Sequence, residues 1–343
     1  MSKTVEVLLM SAYRFWLQLR LAGSWTVIGA GSAGVLAVIL EKCGFVLSET
    51  DDSTLNILIF TLLGAFLPLC SCAAVPLAAA LFCLGLSPAL SAALLAAAAF
   101  ASPAAFCFEQ ACMGAELAWY CSLVGILSAF CAGLLVRRLR PAPGRNSTGN
   151  KRYAFLNFIG LYCAASLAGS LVQWLLGVSV PAAFLQHLAS RPSEINGLAA
   201  VLMSLSRYTC IPDEIPAAAS LTAAGMSPSS AVIYIFSGVL LNFPELSGLT
   251  AVCRKNTAAA LIGAGLFFAV VFSFIGELLF LYDFVPQFDL SGMQRWTAAA
   301  KCLQLYNPAF MQNMLAVPYL LSGTGWLFWT LAKKFRENRR WQM

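Results

Sequence analysis

The chain carries one histidine, His187, no Cys-x-x-Cys pair and no run of alternating polar and apolar residues, and only 10% of its 343 residues are charged. Each shortage excludes something. A lone histidine rules out a poly-histidine zinc centre and leaves haem or quinone chemistry without its usual ligands. Without alternation there is no signature of membrane strands, so segments that cross a bilayer do so as helices. No Gly-x-x-x-x-Gly-Lys loop is present, so ATP is not the expected energy source and a proton or cargo gradient is. The twelve cysteines lie scattered through apolar stretches, unlike the dense framework of a small secreted domain.

What the chain has is apolar sequence. It is 60% hydrophobic with a mean hydropathy of +0.78, and blocks near 24–41, 55–84, 88–108, 117–136, 155–176, 197–224, 228–247, 257–281 and 308–332 are of the order of the 20 residues a bilayer core requires. The expectation is an all-α polytopic membrane protein of about 8–10 helices, an internal two-repeat with broken or re-entrant helices.

The net charge is +6, and its placement matters more than its size. Arg137, Arg138, Arg140, Arg145, Lys151 and Arg152 crowd one loop with no acid among them, and Lys333, Lys334, Arg336, Arg339 and Arg340 crowd the C-terminus. Such clusters beside span ends mark cytoplasmic faces of an inner membrane rather than a nucleic-acid surface. Lys3, Arg14 and Arg20 add the N-terminus to the same side. Residues 1–22 lack a small-residue cleavage site and read as an interfacial helix on that leaflet, not as a secretory signal.

Sliding the sequence against itself by 140 residues places "CSCAAVPLAAALFCLGLSP" on "CIPDEIPAAASLTAAGMSP". Cys70 falls on Cys210, Pro76 on Pro216, and Gly85, Ser87 and Pro88 on Gly225, Ser227 and Pro228. Two alanine-rich helices do not share a cysteine, two prolines and a Gly-x-Ser-Pro turn by composition alone. The chain therefore reads as a first repeat over 1–140, a basic cytoplasmic linker over 141–152, and a second repeat over 153–343 with a C-terminal span and basic tail.

Proline lacks an N–H and disfavours helical angles in its predecessor, so Pro68 and Pro76 are expected to bracket an unwound patch, with Pro216 in the matching break. Unwound backbone at membrane depth is tolerated only where it is buried in protein or lines a cavity. Paired breaks in corresponding positions of two halves point to a transporter's substrate site. The breaks carry Cys70, Ser71 and Cys72 in one half and Cys210, Asp213 and Glu214 in the other, and Ser102 and Asn242 hold equivalent positions further on. Cys70, Cys72 and Cys210 are the candidate metal ligands, because thiolates select soft cargo such as Cu(I), Zn(II) or trivalent arsenic. Asp213 and Glu214 replace Ala73 and Ala74 of the first repeat, and membrane-embedded acids usually line a pathway or relay protons. Glu109, Glu116 and Glu277 lie nearer loop ends and are expected at the surface. "GAGSAG", Gly29–Gly34, fits a dinucleotide fingerprint but lies within an apolar span with no strand beside it, so it is read as close helix packing.

These breaks resemble the two-repeat predicted permeases typified by the ArsP organoarsenical exporters. The first-repeat pattern is matched by Pro68–Pro88, then Ser102 and Pro103; the second by Tyr208, Cys210, Pro216, Gly225, Ser227, Pro228, Gly238 and Asn242. Ala73, Ala99, Val239 and the Asp213–Glu214 pair depart from it. The resemblance implies a cytoplasmic-membrane efflux permease for trivalent organoarsenicals or thiophilic metals. Taken together, the expectation is a transporter, not an enzyme, with no cofactor, whose partners are the lipid bilayer, a small thiophilic substrate and protons. A permease for a divalent metal or other small solute, or a membrane thiol-redox protein using Cys70 and Cys72, are the alternatives.

Overall fold

The computed structural model describes residues 3–42, 51–67, 69, 71–139, 151–179, 197–199, 201–202, 211–223, 225–252, 254–280 and 308–340. Regular structure among them is entirely helical. The elements are α1 (Lys3–Lys42), α2 (Thr54–Phe66), α3 (Ser71–Cys83), α4 (Pro88–Phe100), α5 (Pro103–Met113), α6 (Ala115–Leu139), α7 (Lys151–Ser179), α8 (Ile211–Ala223), α9 (Pro228–Leu240), α10 (Phe243–Val252), α11 (Lys255–Phe280) and α12 (Ala309–Arg340). Among the described residues, four stretches are long and apolar enough to cross a membrane: Pro88–Met113, which takes in both α4 and α5, Ala115–Leu139, Lys255–Leu279 and Ala309–Lys333.

The internal repeat governs where helices start and stop. α3 and α8 begin and end 140 residues apart, as do α4 and α9, and α5 and α10 as well as α6 and α11 begin 140 apart. The local chemistry repeats too. Gly85 and Gly225 turn the chain at φ 106° and 105°, a region that L side chains rarely adopt. Ser87 and Ser227 then cap α4 and α9, accepting from Leu90 N at 3.2 Å and Ser230 N at 3.3 Å, with Pro88 and Pro228 at the first helical position, where proline's missing donor costs nothing.

At 13 residues, α2, α3 and α4 each span about 20 Å, too short to cross a core of about 30 Å. Ile57 and Ala93 both touch the Gly133 site, Gly64 rests on Leu94 and Ala97, and Ser87 bonds Asp52, so α2 and α4 run side by side in one direction. The Gly85 turn joins the end of α3 to the start of α4, so α3 runs the opposite way. α2 and α3 thus form a re-entrant hairpin, and the broken block expected over 55–84 is two arms. α4 continues through Ala101–Ser102 into α5, and α6 returns antiparallel with Gly125 against Phe100.

Tyr120, early in α6, donates to the Ser273 carbonyl late in α11 and closes on Gly276. At the other end, Ala132 and Val136 cluster with Leu261 and Ala264. These two helices are the same element in the two halves and they pack antiparallel. The halves are therefore inverted, related by a pseudo-two-fold axis across the helices. Other contacts obey the same exchange: α3 packs on α10 and α5 packs on α8.

Two expectations about the N-terminus are overturned. α1 is one continuous helix of 40 residues, about 60 Å at 1.5 Å per residue, with no break setting residues 1–22 apart as an interfacial piece. It crosses α3 where Gly29 meets Ala73, places Phe15 on Trp174 late in α7, and anchors Arg20 on Asn313 and Gln312 at the start of α12. The start of α1 and the end of α6 consequently lie at opposite ends of the bundle. The end of α6, the start of α7 and the end of α12 share one end. Lipid tails offer no hydrophobic gain between helices, so close packing of small residues supplies the association. The wholly buried, alanine-rich run Ala89–Phe100 of α4 is one instance.

Candidate functional site

The two broken helices place their interruptions at mid-height. Gly125 lies near the middle of α6 and packs against Phe100 and Ala101, while its repeat mate Gly265 lies near the middle of α11 and packs against Leu240. From opposite ends of the bundle, α4 and α9 meet there with Phe100 stacked on Phe236, ring centroids 4.0 Å apart. Just beyond, Ser102 and Asn242 cap the next helices. Ser102 Oγ accepts from Ala105 N at 3.3 Å and Asn242 Oδ1 accepts from Glu245 N at 3.0 Å, in each case satisfying a first-turn donor that no backbone carbonyl reaches. Both caps are fully buried. Two helix N-termini, each the positive end of a dipole, therefore open into the middle of the molecule.

The remaining residues named from sequence divide into three groups. Cys72 lies at the start of α3, fully buried, within electrostatic reach of the Tyr319 hydroxyl. Glu214 is equally buried on α8, with its carboxylate against Gly238 of α9. Ser71 and Asp213 stand in the first turns of α3 and α8, but their side chains lie outside the described residues, as do Pro68, Cys70 and Cys210 altogether. Among the described residues no group of three His, Cys, Asp or Glu could hold a metal ion; two of the three thiols named for that role are outside that set.

The break is also shorter than proline alone suggests. The helix is already formed at Ser71 and runs through Pro76, and the matching helix runs through Pro216, so the expected unwound patch does not extend to Pro76. Pro76 still has no N–H to give the Cys72 carbonyl four residues before it. Thiol and carbonyl of Cys72 thus sit at the same interrupted turn.

Sequence reading missed a second set of polar groups at this level. Tyr162, Ser166 and Ser170 recur every four residues along α7 and are fully buried, and Tyr319 of α12 is buried with them. The Tyr319 hydroxyl faces Ser166 and lies near Cys163 as well as Cys72. Seryl hydroxyls in lipid-facing helices usually bond back to their own backbone, as Ser237 does to the Ile233 carbonyl; those of Ser166 and Ser170 do not. The four-residue spacing was the available signal, hidden because serine is unremarkable in a membrane helix.

Glu109 contradicts its expected surface position: it is fully buried on α5, because α6 and α8 both pack on that helix. Glu116 is exposed and Glu277 half-buried, as expected. Of the "GAGSAG" glycines, Gly29 brings α1 onto the α3 backbone, where a Cβ would collide with the Ala73 carbonyl oxygen, consistent with a packing role.

No family model, curated protein or solved structure matches this chain.

Proposed function

We propose that this chain is a membrane permease that exports a thiophilic substrate, a trivalent organoarsenical or a soft metal ion, through the layer where its two broken helices meet. One observation carries the reading. Half-length helices and breaks recur in two inverted halves and bring two buried polar caps, Ser102 and Asn242, to mid-height, an arrangement whose backbone irregularities are tolerated in a bilayer only around a cavity or path. Alternating exposure of that layer follows from rocking one half against the other.

The thiophilic part rests on Cys72 at this level and on Cys70 and Cys210 at equivalent points of the two repeats, since sulfur ligands favour soft ions over alkali and alkaline-earth ions. Gradient-driven export from the cytoplasm, across an inner membrane with the basic linker and C-terminus on the cytoplasmic side, completes the proposal. Glu214 and Glu245, both buried beside the breaks, favour a second reading in which oxygen ligands select a harder divalent metal.

Uptake into everted vesicles tests it. Vesicles containing the protein are expected to accumulate a labelled trivalent organoarsenical above protein-free controls, with the Cys70→Ser and Cys210→Ser variants losing that accumulation and Cys107→Ala retaining it. Accumulation of a divalent metal insensitive to both serine variants selects the second reading, and no uptake of either cargo removes both.

A further inference from the structure

Glu109 lies on α5, seven residues beyond the Ser102 cap. It is 0% exposed. Neither carboxylate oxygen has a hydrogen-bond partner within normal geometry, and among the described residues no lysine or arginine pairs with it. The group that faces it is the Cys121 thiol of α6. An ionised carboxylate so placed is among the costliest arrangements a protein interior can hold.

The inverted repeat supplies the comparison that makes this informative. The mate of Glu109 is Leu249 and the mate of Cys121 is Leu261, both buried. The corresponding positions thus hold two buried apolar side chains in one half, lying in separate apolar clusters, and a facing carboxyl and thiol in the other. A costly buried group present on one side of a symmetric frame is best explained by an ion that it binds. A metal needs more ligands than one carboxyl and one thiol, and no third ligating side chain joins them among the described residues; a proton needs only one oxygen.

We propose that Glu109 is a proton-binding site, loaded and emptied as the α5–α8 contact between the two halves opens and closes. Binding adds H⁺ to a carboxylate oxygen and leaves a neutral acid beside the Cys121 sulfur; release returns H⁺ to the opposite compartment, with no electron transferred. Because α8 begins at the second break, the state of Glu109 reports directly to the candidate substrate layer. The other titratable groups on the packed elements are few. On α6, Tyr120 is engaged with the Ser273 carbonyl and lies near Glu277. On α8, Glu214 is seated against Gly238, and Asp213 precedes it. Cys112 follows Glu109 by one turn on α5 itself. Coupling to transport rests on the permease reading, whereas proton binding does not.

The test uses the purified full chain in lipid vesicles. Infrared difference spectra between acidic and alkaline buffer are expected to contain a carboxylic-acid C=O band that is lost in Glu109→Gln and in Glu109→Leu/Cys121→Leu. Glu109→Gln keeps the side chain's size, and the double variant puts at both positions the residues that the other half holds there. In the same vesicles, a pH gradient is expected to accelerate organoarsenical flux in the wild type, and the leucine pair is expected to reduce flux to the no-gradient level while leaving downhill exchange intact. A band unchanged in both variants overturns the proposal, as does gradient acceleration that persists in the leucine pair or is lost only in Asp213→Asn/Glu214→Gln. A protein that moves no cargo but shows the Glu109 band contradicts the permease reading and leaves the proton site standing.

Discussion

Gly238 leaves room for Glu214: a Cβ at 238 would stand 2.5 Å from the Glu214 Oε1 and 2.7 Å from its carboxyl carbon. In the first half the same two positions hold Ala98 and Ala74, both buried. One half therefore fills the gap between its hairpin helix and its broken helix with two methyl groups, and the other with a carboxylate against a bare backbone. Gly238→Ala is expected to destabilise the protein by about 1–3 kcal/mol through overpacking. Adding Glu214→Ala should recover most of that loss by rebuilding the first half's pair, a coupling visible in a double-mutant cycle of thermal unfolding in detergent. Additive losses would mean that the two residues do not share the site.

Gly29 and Gly31 are two residues apart on α1 and should respond oppositely. Alanine at 29 collides with the Ala73 backbone, which cannot swing aside as a side chain can, whereas nothing lies within 4 Å of a Cβ at 31. Gly29→Ala should lower the unfolding temperature. Gly31→Ala should leave it unchanged or raise it, by up to about 1 kcal/mol in stability from helix propensity. Equal responses would contradict the packing assigned to "GAGSAG".

At the turns, Gly85 and Gly225 share a positive φ, and no neighbour lies within 4 Å of a Cβ at 225. Backbone strain alone sets the cost at Gly225, about 1–2 kcal/mol for alanine. Gly85→Ala is expected to cost a similar amount, because the repeat gives it the same turn. A large difference between the two would show that the hairpins are not equivalent.

Much of this was legible in the sequence, for local reasons. Gly-x-Ser-Pro encodes a positive-φ turn, a cap and a first-turn proline within four residues, so α4 and α9 could be placed from the letters alone. Ser102 and Asn242 were paired as equivalents by the 140-residue offset, and both turned out to be buried caps. Broken or re-entrant helices were legible in the paired prolines, but that α2 and α3 double back as two arms was not, because an apolar run of 30 residues does not say what each arm packs on. Pro76 misled in the other direction: proline weakens a helix at one bond, and the tight packing of α3 on α1, α4 and α10 holds the helix through it. Glu109 was missed because sequence distance from a loop says nothing about which helices cover a residue. The inversion of the halves lay in contacts such as Tyr120 with Ser273, which no sequence offset contains.

Inversion fixes the topology. In a cysteine-depleted background, single cysteines at Lys3 and Gly149 should label from opposite sides of the membrane with an impermeant thiol reagent, and cysteines at Gly149 and Gln342 from the same side. Labelling of Lys3 and Gly149 from one side would contradict the course of α1.

The central claim is that cargo passes through the layer where the two breaks meet. The most direct measurement is flux of a labelled trivalent organoarsenical through the purified protein in sealed vesicles, comparing the wild type with Cys70→Ser, Cys72→Ser and Cys210→Ser at equal incorporation. The account predicts flux well above protein-free vesicles, reduced at least tenfold in Cys70→Ser and in Cys210→Ser, the loss of about 1.4 kcal/mol or more of sulfur coordination. It predicts no change for Cys107→Ala. Undiminished flux in all three serine variants would contradict it.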